Sequence, residues 1–306
     1  MDPAPIALFT YNRPDHTMRT IDALKLNELA SKSKLIIFSD GPKTEAGAGV
    51  ITNLRSRLKK INGFRSVELI ERNSNFGLGK NIIDGVGQVI DKYGRIIVLE
   101  DDLLTSPYFL KFTNQALDKY ADSEDVISTH GYCYPVRNEL PETFFLRGAD
   151  CLGWGTWKRG WDLFEPDGKK LLAGLTQSNQ VALFDFDGTY PYTQMLRDQI
   201  EGKNNSWAIR WYASAFLKNK LTLYPGRSLV FHMGGDGSGT NTGLDESLSV
   251  EISQTPIHVL DIPIVQNEIA FEAFADFFKR QGNPSVWYKM KRRMKKIFSE
   301  RRESKE

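Results

Sequence analysis

Three consecutive carboxylates, Glu100, Asp101 and Asp102, directly follow the apolar run at residues 96–99. Adjacent acids repel one another, so a fold that gathers them at the end of a buried strand must offset their charge with a cation or with strong hydrogen-bond donors. Carboxylate oxygens suit Mg²⁺ or Mn²⁺, which commonly bridge protein acids to substrate phosphates. The motif therefore predicts a metal-assisted diphosphate site. The alternative is a polar turn whose acids cap a helix that begins near Ser106.

The elements around these acids are predicted from hydrophobic periodicity. Apolar runs at 6–10, 34–39, 67–71 and 95–100 alternate with amphipathic stretches at 15–24, 50–61 and 81–93. Such alternation predicts an α/β fold, in which a mostly parallel sheet is flanked by helices. Ligands of such sheets bind beyond the carboxyl ends of the strands. The acids are therefore expected to lie at a ligand-binding edge.

Other residues with suitable chemistry follow the same strands. Arg13 comes after the first strand, Asp40 after the second, and a glycine loop at 73–80, which ends in Lys80, after the third. The loop has neither the spacing of a phosphate-binding loop nor the third glycine of a dinucleotide fingerprint. It predicts a turn before a helix, where the helix N-terminus and Lys80 could assist an anion.

The chain contains Thr-Tyr-Asn-Arg-Pro at 10–14, Phe-Ser-Asp-Gly at 38–41, Asn-Phe-Gly-Leu-Gly-Lys-Asn at 75–81 and Val-Leu-Glu-Asp-Asp at 98–102. In these four segments and their order it resembles glycosyltransferases of the GT-A fold. The acidic triplet resembles that of the Golgi N-acetylglucosaminyltransferases that initiate complex N-glycans, and that of bacterial family 2-like sugar transferases. The resemblance is good over residues 4–115 and loose beyond them. It implies a GT-A (Rossmann-like) fold with a less regular acceptor-side half.

The resemblance also implies roles for individual residues in binding a nucleotide-sugar donor. Arg13 would lie in the nucleotide pocket, and Asp40 would contact the uracil or the ribose. Asp102 would hold the metal on the donor diphosphate. Glu100 and Asp101 would contact the ribose and the sugar. These roles agree with the chemistry of carboxylates, which accept hydrogen bonds, and of a guanidinium, which donates them.

The general base cannot be assigned from the sequence. In the Golgi enzymes it is an aspartate near the start of the helix that corresponds to residues 206–217, where this chain has Asn205 and Ser206. Neither an amide nor a hydroxyl is a competent base at neutral pH. The acids that remain as candidate catalytic residues are Glu201, Asp198, Asp236, Asp150 and Asp101.

The second half of the chain contains two further candidate binding residues, Trp154 and His232. Trp154 lies between two glycines and is expected in an open loop that faces the donor or acceptor, whereas Trp157 and Trp161 are expected in the core. His232 precedes a glycine-rich stretch at 234–239 and is a candidate metal or phosphate ligand, with a structural role as the alternative. The stretch itself predicts either a lid over the nucleotide or a surface loop.

Composition bounds the class of protein. The 306 residues are 41 % hydrophobic and 25 % charged, with a net charge of +2, as in ordinary globular chains. The absence of an evident membrane span or secretion signal, with only Cys133 and Cys151, favours the cytoplasm. Residues 287–306 contain nine Lys or Arg and only three Glu. This pattern predicts a basic amphipathic C-terminal helix that binds an anionic membrane surface through 287–302, or else a solvated end, and nucleic acid is not an expected partner.

These observations predict a glycosyltransferase dependent on Mn²⁺ or Mg²⁺. It would move a sugar from a nucleotide-sugar, with UDP favoured, to a hydroxyl of a glycan or lipid-linked saccharide, and the resemblance implies inversion. Residues 1–115 would bind the donor, 116–265 the acceptor, and 266–306 would form the C-terminal helical region. Two alternatives are an inactive glycan-binding or membrane-associated scaffold and a sugar nucleotidyltransferase. The latter is disfavoured because its glycine-rich, basic loop after the first strand is absent.

Overall fold

Strand β1 (Ile6–Thr10) is buried at every position because helices cover both faces of the sheet that contains it. Its side chains alternate between the two faces. Ile6 and Leu8 pack in one apolar layer, whereas Ala7 and Phe9 pack in the other. Continuous apolar strands of this kind are typical of parallel sheets.

The structure is a computed structural model that describes residues 2–235 and 248–281. The other strands are β2 (Lys34–Ser39), β3 (Ser66–Glu71), β4 (Arg95–Glu100), β5 (Leu103–Thr105), β6 (Val126–His130), β7 (Thr143–Arg147), β8 (Trp154–Trp157), β9 (Leu221–Pro225) and β10 (Val230–His232). The helices are α1 (Pro14–Lys25), α2 (Glu45–Leu58), α3 (Leu78–Tyr93), α4 (Phe109–Lys119), α5 (Lys158–Trp161), α6 (Gly168–Gln177), α7 (Val181–Phe184), α8 (Tyr192–Ile200), α9 (Ala208–Leu217) and α10 (Glu268–Arg280).

Eight strands form one sheet in the order β3-β2-β1-β4-β8-β6-β9-β7, and β5 pairs with β10 in a separate antiparallel ribbon. β1 to β4 are mutually parallel, and β6 and β9 run in the same direction as they do. Only β8 and β7 of this described sheet run the other way. The predicted α/β fold, a mostly parallel sheet flanked by helices, is confirmed.

The predicted strands of the first half are placed correctly, but two helices begin earlier than predicted. α2 begins at Glu45, because the small residues at 46–49 extend the helix without adding to its apolar periodicity. α3 begins at Leu78, directly after Gly77, whose φ of 72° turns the chain into the helix. Glycine adopts this left-handed backbone conformation readily.

Gly85 of α3 gives a stability test of the packing beneath the sheet edge. A Cβ there would lie 2.6 Å from Phe9 Cε1 and 3.1 Å from Phe38 Cε1, where the two rings stack with their centroids 4.9 Å apart. Gly85→Ala is expected to lower the free energy of unfolding by about 1–3 kcal/mol. Gly87→Ala, in the same helix and with open space at its Cβ, should raise it by roughly 0.5–1 kcal/mol. Urea unfolding measures both, and equal effects would contradict this packing.

The second half contains a separate aromatic core, and its helices are mostly shorter than those of the first half. α10 contributes phenylalanines to this core, and Phe274 and Phe278 pack against Tyr134 with ring centroids 5.0 and 4.9 Å away. No helix of the described residues is long and apolar enough to cross a bilayer. Asp236, the rest of the glycine-rich stretch after residue 235, and the basic tail at 287–302 lie outside the described residues.

Candidate functional site

The carboxyl edge of the sheet gathers most of the residues singled out in the sequence. β1 ends next to Tyr11 and Arg13, β2 next to Asp40, and β4 next to Asp101 and Asp102. β6 and β9, which run in the same direction, end at the same edge. The topology therefore builds one face from both halves of the chain.

The β5–β10 ribbon brings His232 to the acidic triplet. His232 is paired with Leu103, the residue that follows Asp102, and Met233 N donates to Asp102 O at 2.8 Å. His232 Nε2 lies 3.3 Å from Asp102 Oδ2. Two residues that are 130 positions apart in the sequence are thus joined at a fixed register.

Arg13 bridges the last two acids. Its Nη2 lies 2.5 Å from Asp101 Oδ1 and 2.8 Å from Asp102 Oδ2. Asp101 Oδ2 also accepts a hydrogen bond from Tyr11 N at 3.2 Å. The two carboxylates are only 4 % and 6 % exposed. The guanidinium therefore offsets charge that burial would otherwise make costly.

The pKa values of the three acids diverge. Burial and the charges of Asp102 and Asp101 raise the pKa of Glu100 to about 8, although Arg13 and a hydrogen bond from Trp207 act in the opposite direction. Burial also raises the pKa of Asp101, against the effect of Arg13. For Asp102, burial alone would raise the pKa, but the hydrogen bond and charge of His232, together with Arg13, lower it to about 2. Asp102 is therefore ionised at neutral pH, whereas Glu100 is largely protonated.

Asp40 orders the glycine loop. Its Oδ1 accepts hydrogen bonds from Gly41 N and Phe76 N, both at 2.8 Å, and its Oδ2 accepts from Gly77 N at 2.9 Å and from Asn75 Nδ2 at 3.1 Å. The carboxylate is 3 % exposed. The structure thus shows a carboxylate whose two oxygens are already used by the loop, and direct contact between Asp40 and a donor stays a prediction.

Asp40→Asn is expected to lower the free energy of unfolding by about 3 kcal/mol. One carboxylate oxygen, which now accepts hydrogen bonds from N–H groups, would be replaced by an amide nitrogen that cannot accept them. The effect should be read by urea unfolding. Asp22→Asn is a suitable control, since its carboxylate is exposed and forms a surface ion pair with Lys25, which is worth at most about 1 kcal/mol. An Asp40 variant as stable as this control would contradict the ordering role.

Two arginines that were not identified from the sequence support the same edge. Arg55 of α2 donates to Ser39 O at 3.1 Å, to Asp40 O at 3.2 Å and to Arg72 O at 2.8 Å. Arg72 lies 4.7 Å from the centre of the Phe76 ring and Lys80 Nζ lies 4.6 Å from it. Lys80 is exposed at the start of α3, where it is free to meet an anion as well as the ring.

Trp154 was expected in an open loop that faces a ligand, but the structure places it in the core. It is 1 % exposed, and its ring centroid lies 5.5 to 5.8 Å from those of Trp161, Trp207 and Trp211. The expected burial of Trp157 and Trp161 is confirmed. Trp207, which was not singled out in the sequence, is the tryptophan that reaches the site, through its hydrogen bond to Glu100.

The candidate bases occupy different environments. Glu201 is exposed and forms an ion pair with Lys203. Asp198 is 1 % exposed and accepts from Gln194 Nε2 at 3.0 Å within α8. Asp101 is held by Arg13, whereas Asp150 lies in the loop that precedes β8 and is partly exposed.

Asp102 and His232 fit a divalent cation. Two neighbouring ligands of an octahedral Mg²⁺ or Mn²⁺ lie about 3 Å apart, close to the 3.3 Å observed. Gly234 packs closely against both side chains, since a Cβ there would lie 2.6 Å from His232 Nε2 and 2.7 Å from Asp102 Oδ2. The described residues contain no cluster of three or more such ligands. Water and substrate oxygens commonly complete the coordination of these ions.

Comparison with solved structures finds distant likenesses. No protein-family model and no curated protein matches the chain. The mannosyltransferase PcManGT from Pyrobaculum calidifontis, solved in complex with GDP-Man and Mn²⁺, is 12 % identical over 42 % of this chain and 35 % of that one, with a TM-score of 0.31. TarS from S. aureus is 12 % identical over 47 % of this chain and 24 % of that one, with a TM-score of 0.32. The chain thus spans about a third and a quarter of their lengths, and a likeness at this level carries no argument about activity.

Proposed function

We propose that the chain is a glycosyltransferase that uses a divalent metal to transfer a sugar from a nucleotide-sugar to a hydroxyl of a glycan or lipid-linked saccharide. A UDP-sugar is the favoured donor, and inversion is the expected stereochemistry. The carrying observation is the cluster of Asp101, Asp102, Arg13 and His232 at the carboxyl edge of the sheet. This cluster offers both cation ligands and a partly buried guanidinium in one place.

The residues of the cluster have different roles in binding a charged donor. Asp102 and His232 would hold Mn²⁺ or Mg²⁺, which when bound neutralises charge on the departing diphosphate. Arg13 Nη1 is buried and makes no hydrogen bond within the described residues, so it has a donor available for a phosphate oxygen. Glu100, largely protonated at neutral pH, can both donate to and accept from a sugar or ribose hydroxyl.

Thermal denaturation against a panel of UDP-, GDP-, dTDP- and CMP-sugars, each with and without MnCl₂, tests this proposal. Selective binding to the folded state raises the melting temperature by mass action. A manganese-dependent rise with one nucleotide family, followed by release of the nucleoside diphosphate, is the expected result. Stabilisation without turnover would favour the inactive scaffold. No stabilisation by any donor would overturn the proposal.

The membrane association of the basic tail is a separate proposal. If residues 287–302 attract an anionic surface, the full chain should bind vesicles that contain phosphatidylserine, and binding should weaken with salt. A cytoplasmic location with peripheral attachment to a membrane follows from the same expectation.

A further inference from the structure

We propose that Asp150 is the general base that deprotonates the acceptor hydroxyl. This inference rests on the proposed function, and it concerns the role that the sequence left open among five acids. It is carried by the position of the loop before β8, by the small number of partners of this carboxylate, and by its exposure.

The loop at 148–153 lies beside the acidic triplet because of strand pairing. β8 runs antiparallel to β4, with Trp154 opposite Val98, so the residues before Trp154 continue past the carboxyl end of β4. Two hydrogen bonds fix this stretch to β6: Gly131 N donates to Gly153 O at 2.7 Å, and Leu152 N donates to His130 Nε2 at 2.9 Å. Asp150 is therefore placed on a rigid support at the donor edge.

Hydrogen bonds hold the carboxylate of Asp150 in place but do not use all of its acceptor sites. Among the described residues, its Oδ1 accepts a hydrogen bond from Cys151 N at 2.8 Å and its Oδ2 lies 3.5 Å from the Tyr224 hydroxyl, and the Cys151 thiol also forms a hydrogen bond with the carboxylate. Its side chain is 20 % exposed. A base needs a free lone pair and access to its substrate, and this partly exposed carboxylate, with about four acceptor sites, keeps one for a substrate hydroxyl.

Each of the other candidate acids is either buried or held by a basic side chain. Asp101 is 4 % exposed and tied to Arg13, and Asp198 is 1 % exposed within α8. Glu201 is accessible but is paired with Lys203 at the carboxyl end of α8. Asp236 lies outside the described residues, so the choice is made among the acids that the structure describes.

His130 and Tyr224 act as positioning residues. His130 is fully buried, and its Nε2, which lies 3.8 Å from Asp150 Oδ1, accepts the Leu152 amide. Burial lowers the pKa of this imidazole, so it does not form a strong ion pair that would hold the carboxylate. Burial and the charge of Asp150 raise the pKa of the Tyr224 hydroxyl, which remains a donor toward Oδ2.

The electrostatic neighbourhood agrees with this placement. Burial raises the pKa of the Cys151 thiol, and Asp150, Glu100 and Asp102 all raise it further. The residue next to Asp150 is thus within reach of charges from both the proposed base and the acidic triplet.

The proposed step balances without another reactant. The acceptor oxygen forms a bond to the anomeric carbon of the donor while its proton passes to Asp150 Oδ2. The bond between the anomeric carbon and the diphosphate oxygen breaks, and its electron pair leaves with the diphosphate. Water takes the place of the acceptor when the donor is hydrolysed.

The test measures donor hydrolysis by the full chain, with MnCl₂ and the nucleotide-sugar that stabilises it in the panel. Asp150→Asn is expected to release the nucleoside diphosphate at least about 100-fold more slowly, while the donor still raises its melting temperature as in the unmodified protein. Sodium formate should restore part of the rate of Asp150→Ala, since formate can replace a missing carboxylate base but not a structural contact. Asp162→Asn, an exposed acid paired with Lys158, is the control.

The outcomes separate this inference from the proposed function. If no donor stabilises the protein, both fall together. If the donor binds and is hydrolysed, but Asp150→Asn keeps a rate within about threefold of the unmodified protein, the role of Asp150 alone is overturned. A slow Asp150→Ala variant that formate leaves unchanged also overturns it and assigns the carboxylate a structural role.

Discussion

Asp102→Asn should lose the manganese-dependent stabilisation by a nucleotide-sugar while remaining folded. The substitution keeps the shape of the side chain but removes the anion that lies 3.3 Å from His232 Nε2. Removing a direct ligand should weaken metal binding by at least about 100-fold, beyond the 10- to 100-fold effects of residues that only orient ligands. Calorimetric titration of the protein with MnCl₂ and donor measures the loss.

The fold of this variant should survive, because Arg13 keeps its contact of 2.5 Å with Asp101. Circular dichroism checks this point. Asp118→Asn, in an exposed ion pair with Arg95, controls for the loss of a carboxylate elsewhere. If Asp102→Asn binds manganese and donor as tightly as this control does, the metal role of Asp102 is wrong.

Arg13→Met is expected to bind Mn²⁺ more tightly than the unmodified protein when no nucleotide is present. Arg13 Nη2 lies 2.8 Å from Asp102 Oδ2, the same oxygen that faces His232. A unit charge at about 4 Å is worth up to about 4 kcal/mol at an effective dielectric constant of 20. An affinity gain of at least about tenfold is therefore expected, measured as the loss of the free-ion signal in electron paramagnetic resonance.

The same variant should be less stable without metal, because two buried acids lose their counter-charge, at a cost of about 3–5 kcal/mol. Arg19→Met tests whether any lost positive charge on α1 has these effects, since Arg19 is exposed on that helix. Unchanged or weaker manganese binding by Arg13→Met would show that Arg13 does not compete with the ion.

The first half of the fold was predictable because its signals are local. Strands β1, β2 and β4 are largely buried and mostly apolar, and β1 and β2 are each followed by a turn and a helix. Once these elements are recognised, the edge at which Arg13, Asp40 and the triplet meet follows from their direction. The proximity of His232 could not be predicted in this way, because it depends on the pairing of β10 with β5.

The details of the site depend on contacts that no sequence spacing reveals. Asp40 was expected to face the donor, yet both of its oxygens accept hydrogen bonds from the loop at 75–77 and from Gly41. Arg55 is inconspicuous in the sequence and holds three carbonyls only because β2 and β3 end beside α2. Such roles appear only after distant segments have packed together.

Trp154 shows how a sequence pattern can mislead. Glycines on both sides suggested an open loop, but they serve close packing. A Cβ on Gly155 would lie 2.9 Å from Thr113 Cγ2, and one on Gly153 would lie 2.8 Å from Val230 Cγ2. Small residues next to a large ring are therefore as consistent with a crowded interior as with an exposed surface.

The register of the β5–β10 ribbon makes the length of the connection at 226–229 as important as any reactive group. Side chains alternate along a strand, so a slip of one residue would turn His232 to the opposite face of the ribbon. An insertion or deletion of a single codon in that turn would leave every residue of the site encoded and yet separate His232 from Asp102. The loss of this contact through such a change would escape any mutational survey that scores substitutions alone.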